Sequence, residues 1–395
     1  MRRTPKADPV TSVAVLADDL TSAGDGAAPF RRTGHRATVL LPGAVEPGAP
    51  VRDGVVAVDL GSRLLDEPSA VALAAWFADA FTDADLLIKT VDSTLRGHVA
   101  AEIRAAHAGS GRRAVVVAPA FPAEGRTTVR GVQHVHGVPV HETDFARDPV
   151  HPVRTADLAR LLPQAELLEP EHFGKLAELI EEGGVFVCSA TTDADLGLLV
   201  ASVPQPRDVL WVGSPGLAAA LAAHHPRTPA DPPPEPPPAR RPLIVVGSAH
   251  PATRHQLDRL RTRVDVTTAE AADAPAEALR HLRRSTAPVL VAHTPDARRT
   301  PAGSLTGELA LVVRELVTDG LVDGLVLTGG ETAVAALEAL GAAGVDLVDE
   351  PEPGIARGVL LSPPDLPVLI KAGGFGDDGT LDRLCGLLME GGPTR

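Results

Sequence analysis

The chain has 395 residues, 44% of them hydrophobic and 22% charged. That is long for one domain, ample for a sizeable core and too apolar for a disordered chain. A net charge of −14 argues against a nucleic-acid partner, whose phosphates attract basic surfaces, but leaves open a small anionic substrate held by local cations.

Ser12–Ala17 reads as a short apolar strand running into Asp18-Asp19-Leu20-Thr21-Ser22-Ala23-Gly24-Asp25, where a helix capped by Thr21 or Ser22 is predicted. Further strands are expected at Ala37–Leu41 and Val55–Asp59. Val71, Ala74, Ala78 and Phe81 lie at helical spacing over Ser69–Phe81. Leu86-Leu87-Ile88 is a buried strand that delivers Lys89-Thr90-Val91-Asp92-Ser93-Thr94-Leu95-Arg96-Gly97, and a helix through Val99, Ile103 and Ala106 follows. Ala114–Val117 is another strand. Gly125 to Pro152 reads as loops and a hairpin, after which strands at Val185–Cys188 and Val209–Val212 and a helix over Ser214–Ala223 resume the βα alternation.

ADPPPEPPPARRP, within Pro226–Pro242, is a semi-rigid polyproline segment and marks a domain boundary. Beyond it, strands at Leu243–Val246, Val289–Ala292, Leu325–Leu327 and Val368–Ile370 alternate with helices, the last carrying Leu381, Leu384 and Leu388. The expected architecture is two α/β domains with mostly parallel sheets, residues 1–225 and 243–395, joined by the Pro-rich linker 226–242.

Cys188 and Cys385 are far apart in sequence and neither belongs to a metal-spaced pair, which fits a reducing compartment. No apolar run approaches the roughly 20 residues of a membrane span. The basic N-terminus leads into a strand that ends in two Asp, so it does not read as a signal peptide, and a cytoplasmic location is expected.

Ligands of open α/β sheets bind at the C-terminal ends of strands. Three polar sets fall at such ends in the first half. Asp18, Asp19 and Asp25 could bind sugar hydroxyls, hold a metal-bound water or take a proton from an attacking hydroxyl, or simply favour a helix N-terminus. Nothing in the sequence says which Asp is the base. In Lys89–Gly97, Arg96 can grip a carboxylate bidentately, Lys89 offers a point charge, and Asp92, Ser93 and Thr94 can hydrogen-bond hydroxyls. Arg126, Thr127, Arg147 and Asp148 form a third set. His134, His136, His141 and His151 lack acidic or Cys partners at zinc-like spacing and read as surface or hydrogen-bonding residues. The second half has Gly or Ser turns at three strand ends, Gly247-Ser248, Gly329-Gly330 and Gly373-Gly374, of the kind that close on phosphate. Neither a P-loop nor G-x-G-x-x-G is present.

These residues resemble the four-carbon acid sugar kinases, which include D-threonate, D-erythronate and 3-oxo-tetronate kinases. The resemblance rests on ADDLTSAGD (Ala17 to Asp25), KTVDSTLRG (Lys89 to Gly97), PAFPAEGRTTVRG (Pro119 to Gly131) and TDFARDPVHPV (Thr143 to Val153). In the second half it rests on GSAHPATRHQ (Gly247 to Gln256), TGGETA (Thr328 to Ala333) and KAGGFG (Lys371 to Gly376). It implies a sugar-acid domain followed by a nucleotide domain, and ATP-dependent phosphorylation of the terminal hydroxyl of a tetronate, with Mg²⁺ as cofactor. Site residues implied for catalysis are Asp18, Asp19, Asp92 and Arg96, and for substrate binding Asp25, Lys89, Ser93, Thr94 and Arg126. Those implied for ATP are Ser248, Gly329, Gly330, Glu331, Thr332 and Gly373. The expected partners are a small sugar acid and ATP, with a homodimer as a further expectation and no dedicated protein metal cage, nucleic acid or membrane. The two domains would close across the cleft and exclude water. Ser22, His98, Ala100, Ala249, His250, Ala372 and Gly374 depart from the family pattern without removing a charge. The rivals are a hydrolase or aldolase using Ser93 or a Lys, and a non-catalytic sugar-acid-binding or regulatory protein.

Overall fold

A computed structural model describes residues 10–45, 51, 53–148, 150–228, 235–271, 274–295, 302–361 and 365–390. Residues 229–234 of the Pro-rich segment, the first nine residues and Pro149 lie outside the described residues. The chain forms two compact units, one from Met1–Ala37 and Val45–Pro229, the other from Thr38–Ala44 and Ala230–Arg395.

The first half contains β1 (Ser12–Ala17), α1 (Leu20–Arg32), β2 (Ala37–Leu40), β3 (Gly54–Asp59), α2 (Glu67–Ala80), β4 (Leu86–Thr90), α3 (Val99–Ser110) and β5 (Ala114–Ala118). A small antiparallel sheet follows, β6 (Arg126–Val129), β7 (Val132–Val135) and β8 (Val138–Pro139). Then come α4 (Leu158–Leu161), β9 (Glu166–Leu168), α5 (Leu176–Glu182), β10 (Gly184–Cys188), α6 (Asp193–Ala201), β11 (Val209–Gly213) and α7 (Pro215–His224). The main sheet of this unit has the order β3-β1-β4-β11-β5-β10-β9, parallel throughout. Its strands are near-continuous apolar runs because helices cover both faces. Ala14, Leu16, Leu87, Val115, Val117, Leu210 and Val212 pack on Phe77 and Ala78 of α2 and Ile103 and Ala106 of α3. The alternate residues face the other way, where Gly26 lets α1 approach Val15 closely.

The chain leaves β1 toward β3 on one side and then returns to β4 on the other, so β1 is the point where the strand order reverses. A crevice forms at the carboxyl ends of the strands at such a point. Asp18, Asp59 and Val91 each immediately follow or end one of these three adjacent strands.

The second half contains β12 (Pro242–Val246), α8 (Pro251–Arg261), β13 (Val266–Glu270), α9 (Pro275–Arg284), β14 (Val289–His293), α10 (Ala302–Thr318), β15 (Gly324–Thr328) and α11 (Gly330–Ala339). It ends with β16 (Gly344–Glu352), β17 (Ile355–Leu361), β18 (Pro367–Lys371) and α12 (Thr380–Glu390). Its sheet runs β13-β14-β12-β15-β18-β17-β16-β2. The part from β13 to β18 is parallel, while β17 and β16 run antiparallel. Residues 38–44 thus serve the second unit although they come from the first half, and Leu41 N donates to Ala343 O at 3.0 Å. Ile244, Val246, Val326 and Leu369 pack on Leu257 and Leu260 of α8 and Leu381 and Leu384 of α12. No described helix is long and apolar enough to cross a membrane.

Candidate active site

In the first unit the strand-end loops meet around an arginine that no motif marks. Arg63 stands in a short turn after β3. Its Nε donates to Asp18 Oδ2 at 2.8 Å, its Nη1 to Asp19 Oδ2, and its Nη2 to Ser22 Oγ at 3.3 Å. Asp19 is also the N-cap of α1, accepting from Ser22 N at 2.6 Å and Thr21 Oγ1 at 2.9 Å, so the cap expected at Thr21 or Ser22 lies just before them. Ser22 is thereby a partner of Arg63.

These contacts separate two adjacent carboxylates. Burial raises the Asp18 pKa, and the Asp19 charge adds to that, against the pull of Arg63 and Lys89. Burial acts on Asp19 too, but Arg63 and the Ser22 and Thr21 donors outweigh it and hold Asp19 below the usual carboxylate range. Asp18 is 4% exposed, and its Oδ1 is buried without a partner in the structure. A buried acceptor left open is costly unless a ligand fills it.

The β4 loop lies against this pair, since Gly97 borders Asp18 Oδ2 and the Arg63 side chain. Here the structure departs from expectation at two residues. Asp92 does not face outward to accept substrate hydroxyls. Arg96 grips it bidentately, Nε to Oδ2 at 2.7 Å and Nη2 to Oδ1 at 3.2 Å, and Thr94 Oγ1 and Arg96 N also donate to Oδ2. Burial would raise its pKa, yet Arg96 and Arg63 hold it well below the carboxylate range. Such a carboxylate is a poor base. Lys89 likewise does not offer its charge to a ligand. It is 1% exposed, its Nζ lies 2.9 Å from Glu102 Oε2, and it donates to Thr90 O at 2.8 Å. Glu102 in turn accepts from Ser62 Oγ at 3.0 Å, so the pair braces the turn that carries Arg63.

Arg96 keeps a partly exposed guanidinium, stacked 5.4 Å from the Phe145 ring centroid and 3.6 Å from Asp148 Oδ2. His151 Nε2 bonds Arg63 O. Arg147 lies outside the cluster, exposed and paired with Asp144. Gln133 Nε2 donates to Ser93 O at 2.8 Å, and no described base hydrogen-bonds the Ser93 hydroxyl, which leaves it unactivated as a nucleophile. Leu95 has φ 62°, a strained value for a branched residue and one that turns the loop sharply between Thr94 and Arg96. Asp25 lies one turn into α1, partly buried, and neither accepts a hydrogen bond nor forms an ion pair among the described residues. Burial, then the Asp19 charge, push it up to about 7 against Arg63. Glu124 also acts on it, and Arg126 donates to the Glu124 carbonyl while its own Nε stays buried and unpartnered. Asp59, 2% exposed and accepting from Gly61 N at 2.8 Å, is also pushed up to about 7, chiefly by burial.

In the second unit β12, β15 and β18 are adjacent and parallel, so their three Gly turns lie side by side. They pack closely. A side chain on Gly247 would strike Thr332 Oγ1, and one on Gly373 would strike Ser248 Oγ. Gly329 N donates to Lys371 O at 2.9 Å. Gly330 opens α11, with Glu331 exposed in its first turn. Thr328 Oγ1 is buried without a partner beside these turns. His250, whose Nδ1 caps α8, has its ring against Gly374. Ser248, Gly329, Gly330, Thr332 and Gly373 are thus brought together around a backbone cradle at a helix N-terminus, suited to phosphate. Among the described residues no three His, Cys, Asp or Glu cluster as a metal cage. A Mg²⁺ carried on phosphates asks for one or two carboxylates at most, and Glu331 has that chemistry.

Comparison with known proteins matches residues 13–221 to a sugar-binding N-terminal domain and residues 243–381 to a nucleotide-binding C-terminal domain. A D-threonate kinase of Bordetella bronchiseptica is 36% identical, over 96% of this chain and 98% of its own. A D-threonate kinase of Salmonella typhimurium is 32% identical over 93% and 96%, and a D-erythronate kinase of Heliobacterium modesticaldum 30% over 93% and 95%.

Proposed function

The chain belongs to the four-carbon acid sugar kinase family, and from that footing we propose that it transfers the γ-phosphoryl group of ATP to the terminal hydroxyl of a four-carbon sugar acid such as threonate, erythronate or a 3-oxo-tetronate. The observation that carries this reading is the open Asp18 Oδ1 beside Arg63, a buried acceptor next to carboxylates that arginines already hold. A polyol hydroxyl fills such a position, and a carboxylate suits the exposed side of Arg96 with Ser93, while the buried Thr94 hydroxyl stays on Asp92.

Asp25 acts as the base. Asp19 and Asp92 are held as anions by arginines, and Asp18 Oδ2 is taken by Arg63, whereas Asp25 has no hydrogen-bond partner among the described residues and a pKa matched to neutral pH. The acceptor hydroxyl loses its proton to the Asp25 carboxylate as its oxygen bonds to the γ-phosphorus. The bond from that phosphorus to the bridging oxygen breaks, and ADP leaves. The Gly turns of the second unit hold the nucleotide, with Ser248 and Thr332 against its phosphates. Glu331 would hold a Mg²⁺ brought by the nucleotide, which would supply positive charge to offset that of the phosphates.

The reaction is assigned to the cytoplasm, in keeping with two buried free cysteines. The test is ADP release with D-threonate, D-erythronate, L-threonate and 3-oxo-tetronates. At least one should release ADP in proportion to acid consumed, and silence across all of them would remove the proposed function.

A further inference from the structure

Both units bury a lysine at the end of a parallel strand. β4 reads LLIKT and β18 reads PVLIK. In the first unit the charge is met from within the protein, by Glu102. In the second, Lys371 is fully buried and pairs with no carboxylate among the described residues. The carboxylate whose charge reaches it, Glu352, is itself held on both oxygens by Arg383 at 2.8 Å. Burial pushes the Lys371 ammonium down to about 8. A buried charge without a counter-charge is unfavourable, and the fold keeps this one directly beneath the Gly373 turn.

The ammonium donates to Ala372 O at 3.0 Å, Gly373 O at 3.4 Å and Thr253 Oγ1 at 3.1 Å, and Thr253 Oγ1 donates onward to Gly373 O at 2.6 Å. In a planar trans peptide the N–H points opposite to the C=O. With the carbonyls of Ala372 and Gly373 drawn toward the lysine, the N–H groups of Gly373 and Gly374 are turned away from it. Successive N–H groups aimed one way make an anion seat. We propose that Lys371 is a positioning residue for the nucleotide phosphates: with Thr253 it fixes the Ala372–Gly374 turn and supplies the positive charge that the phosphate balances. This rests on the reading of the second unit as the nucleotide site.

Calorimetric titration of the full chain with ADP tests it, alongside steady-state kinetics with the best tetronate. Lys371→Met should bind ADP at least about tenfold more weakly and raise the nucleotide KM in step. The tetronate KM should stay within about twofold, a split that general loosening of the fold would not give. Thr253→Val, which keeps the charge and removes the bridge, should show a smaller loss in the same direction. A folded Lys371→Met with wild-type ADP affinity would overturn the role. If that variant does not fold, unchanged ADP affinity in Thr253→Val overturns it instead. A wild-type chain that binds no ADP shows that the nucleotide reading itself has failed, and the proposal goes with it.

Discussion

Removing Glu102 isolates a buried cation and should be among the most damaging single changes in the first unit. Lys89 and Glu102 are 1% and 2% exposed, with Nζ and Oε2 2.9 Å apart. In Glu102→Ala the only hydrogen bond left to the ammonium among the described residues is that to Thr90 O, at 2.8 Å, and Ser62 Oγ loses its acceptor. Breaking one partner of a buried pair costs roughly 3–5 kcal/mol, because the survivor remains charged and out of water. For a unit of this size that is a fall of roughly 6–20 °C in Tm. The chain's two tryptophans, Trp76 and Trp211, both lie in the first unit, and Trp211 is fully buried on β11 between β4 and β5. Tryptophan fluorescence during urea unfolding therefore reads this unit. Lys89→Met combined with Glu102→Leu replaces the pair by apolar groups and should return to within about 1 kcal/mol of the wild type. A loss below about 1 kcal/mol in Glu102→Ala, or a double variant as unstable as the single one, would refute the reasoning.

Two further expectations concern the carboxylates. Asp25→Asn should lower kcat by roughly 10²–10⁴ without lowering Tm, the range for loss of a general base. In the wild type kcat/KM should fall as pH drops through about 7, where Asp25 takes up a proton, and the residual activity of the Asp25→Asn variant should lack that limb; a wild-type profile flat from about pH 5 to 8 counts against the assignment. Asp59→Asn should stabilise the first unit increasingly as pH rises. The folded pKa of Asp59, about 7, exceeds the unfolded value, so the folded state binds more protons than the unfolded one between about 4 and 7. Wild-type stability from this group is present below that window and lost as pH rises through it. The urea midpoints of variant and wild type should be closest near about pH 4 and furthest apart near about pH 8, and a constant gap would be the contrary result.

The strand-end loops were legible because each follows an apolar run too short for a helix, and their polar residues stand out against it. Arg63 was not, since Gly61-Ser62-Arg63 carries no motif. Its importance comes from β3 lying beside β1, a neighbour relation that only the sheet order supplies. The available signal was a charged residue shortly after a strand that ends in Asp59. Lys89 read as a ligand group because its partner lies on the next helix, and no local pattern ties Lys89 to Glu102. Asp92 and Arg96 are four apart and could have been read as each other's partners, since the turn at Leu95 brings them face to face. The antiparallel pair β16 and β17 was hidden by Pro351, Pro353 and Gly354, which look like a loop and in fact close a long hairpin.

The placement of residues 38–44 has a consequence for how this chain can be divided. The second unit is not encoded as one stretch, so cutting within the Pro-rich segment does not release it whole. A fragment beginning at residue 235 would leave the β16 edge with open N–H and C=O groups, a template for pairing with another fragment. A synthetic peptide spanning the β2 sequence is the natural complement to that edge and would dock by strand addition. Any search for a free-standing ancestor of the second unit therefore has to account for a strand borrowed from the other end of the chain.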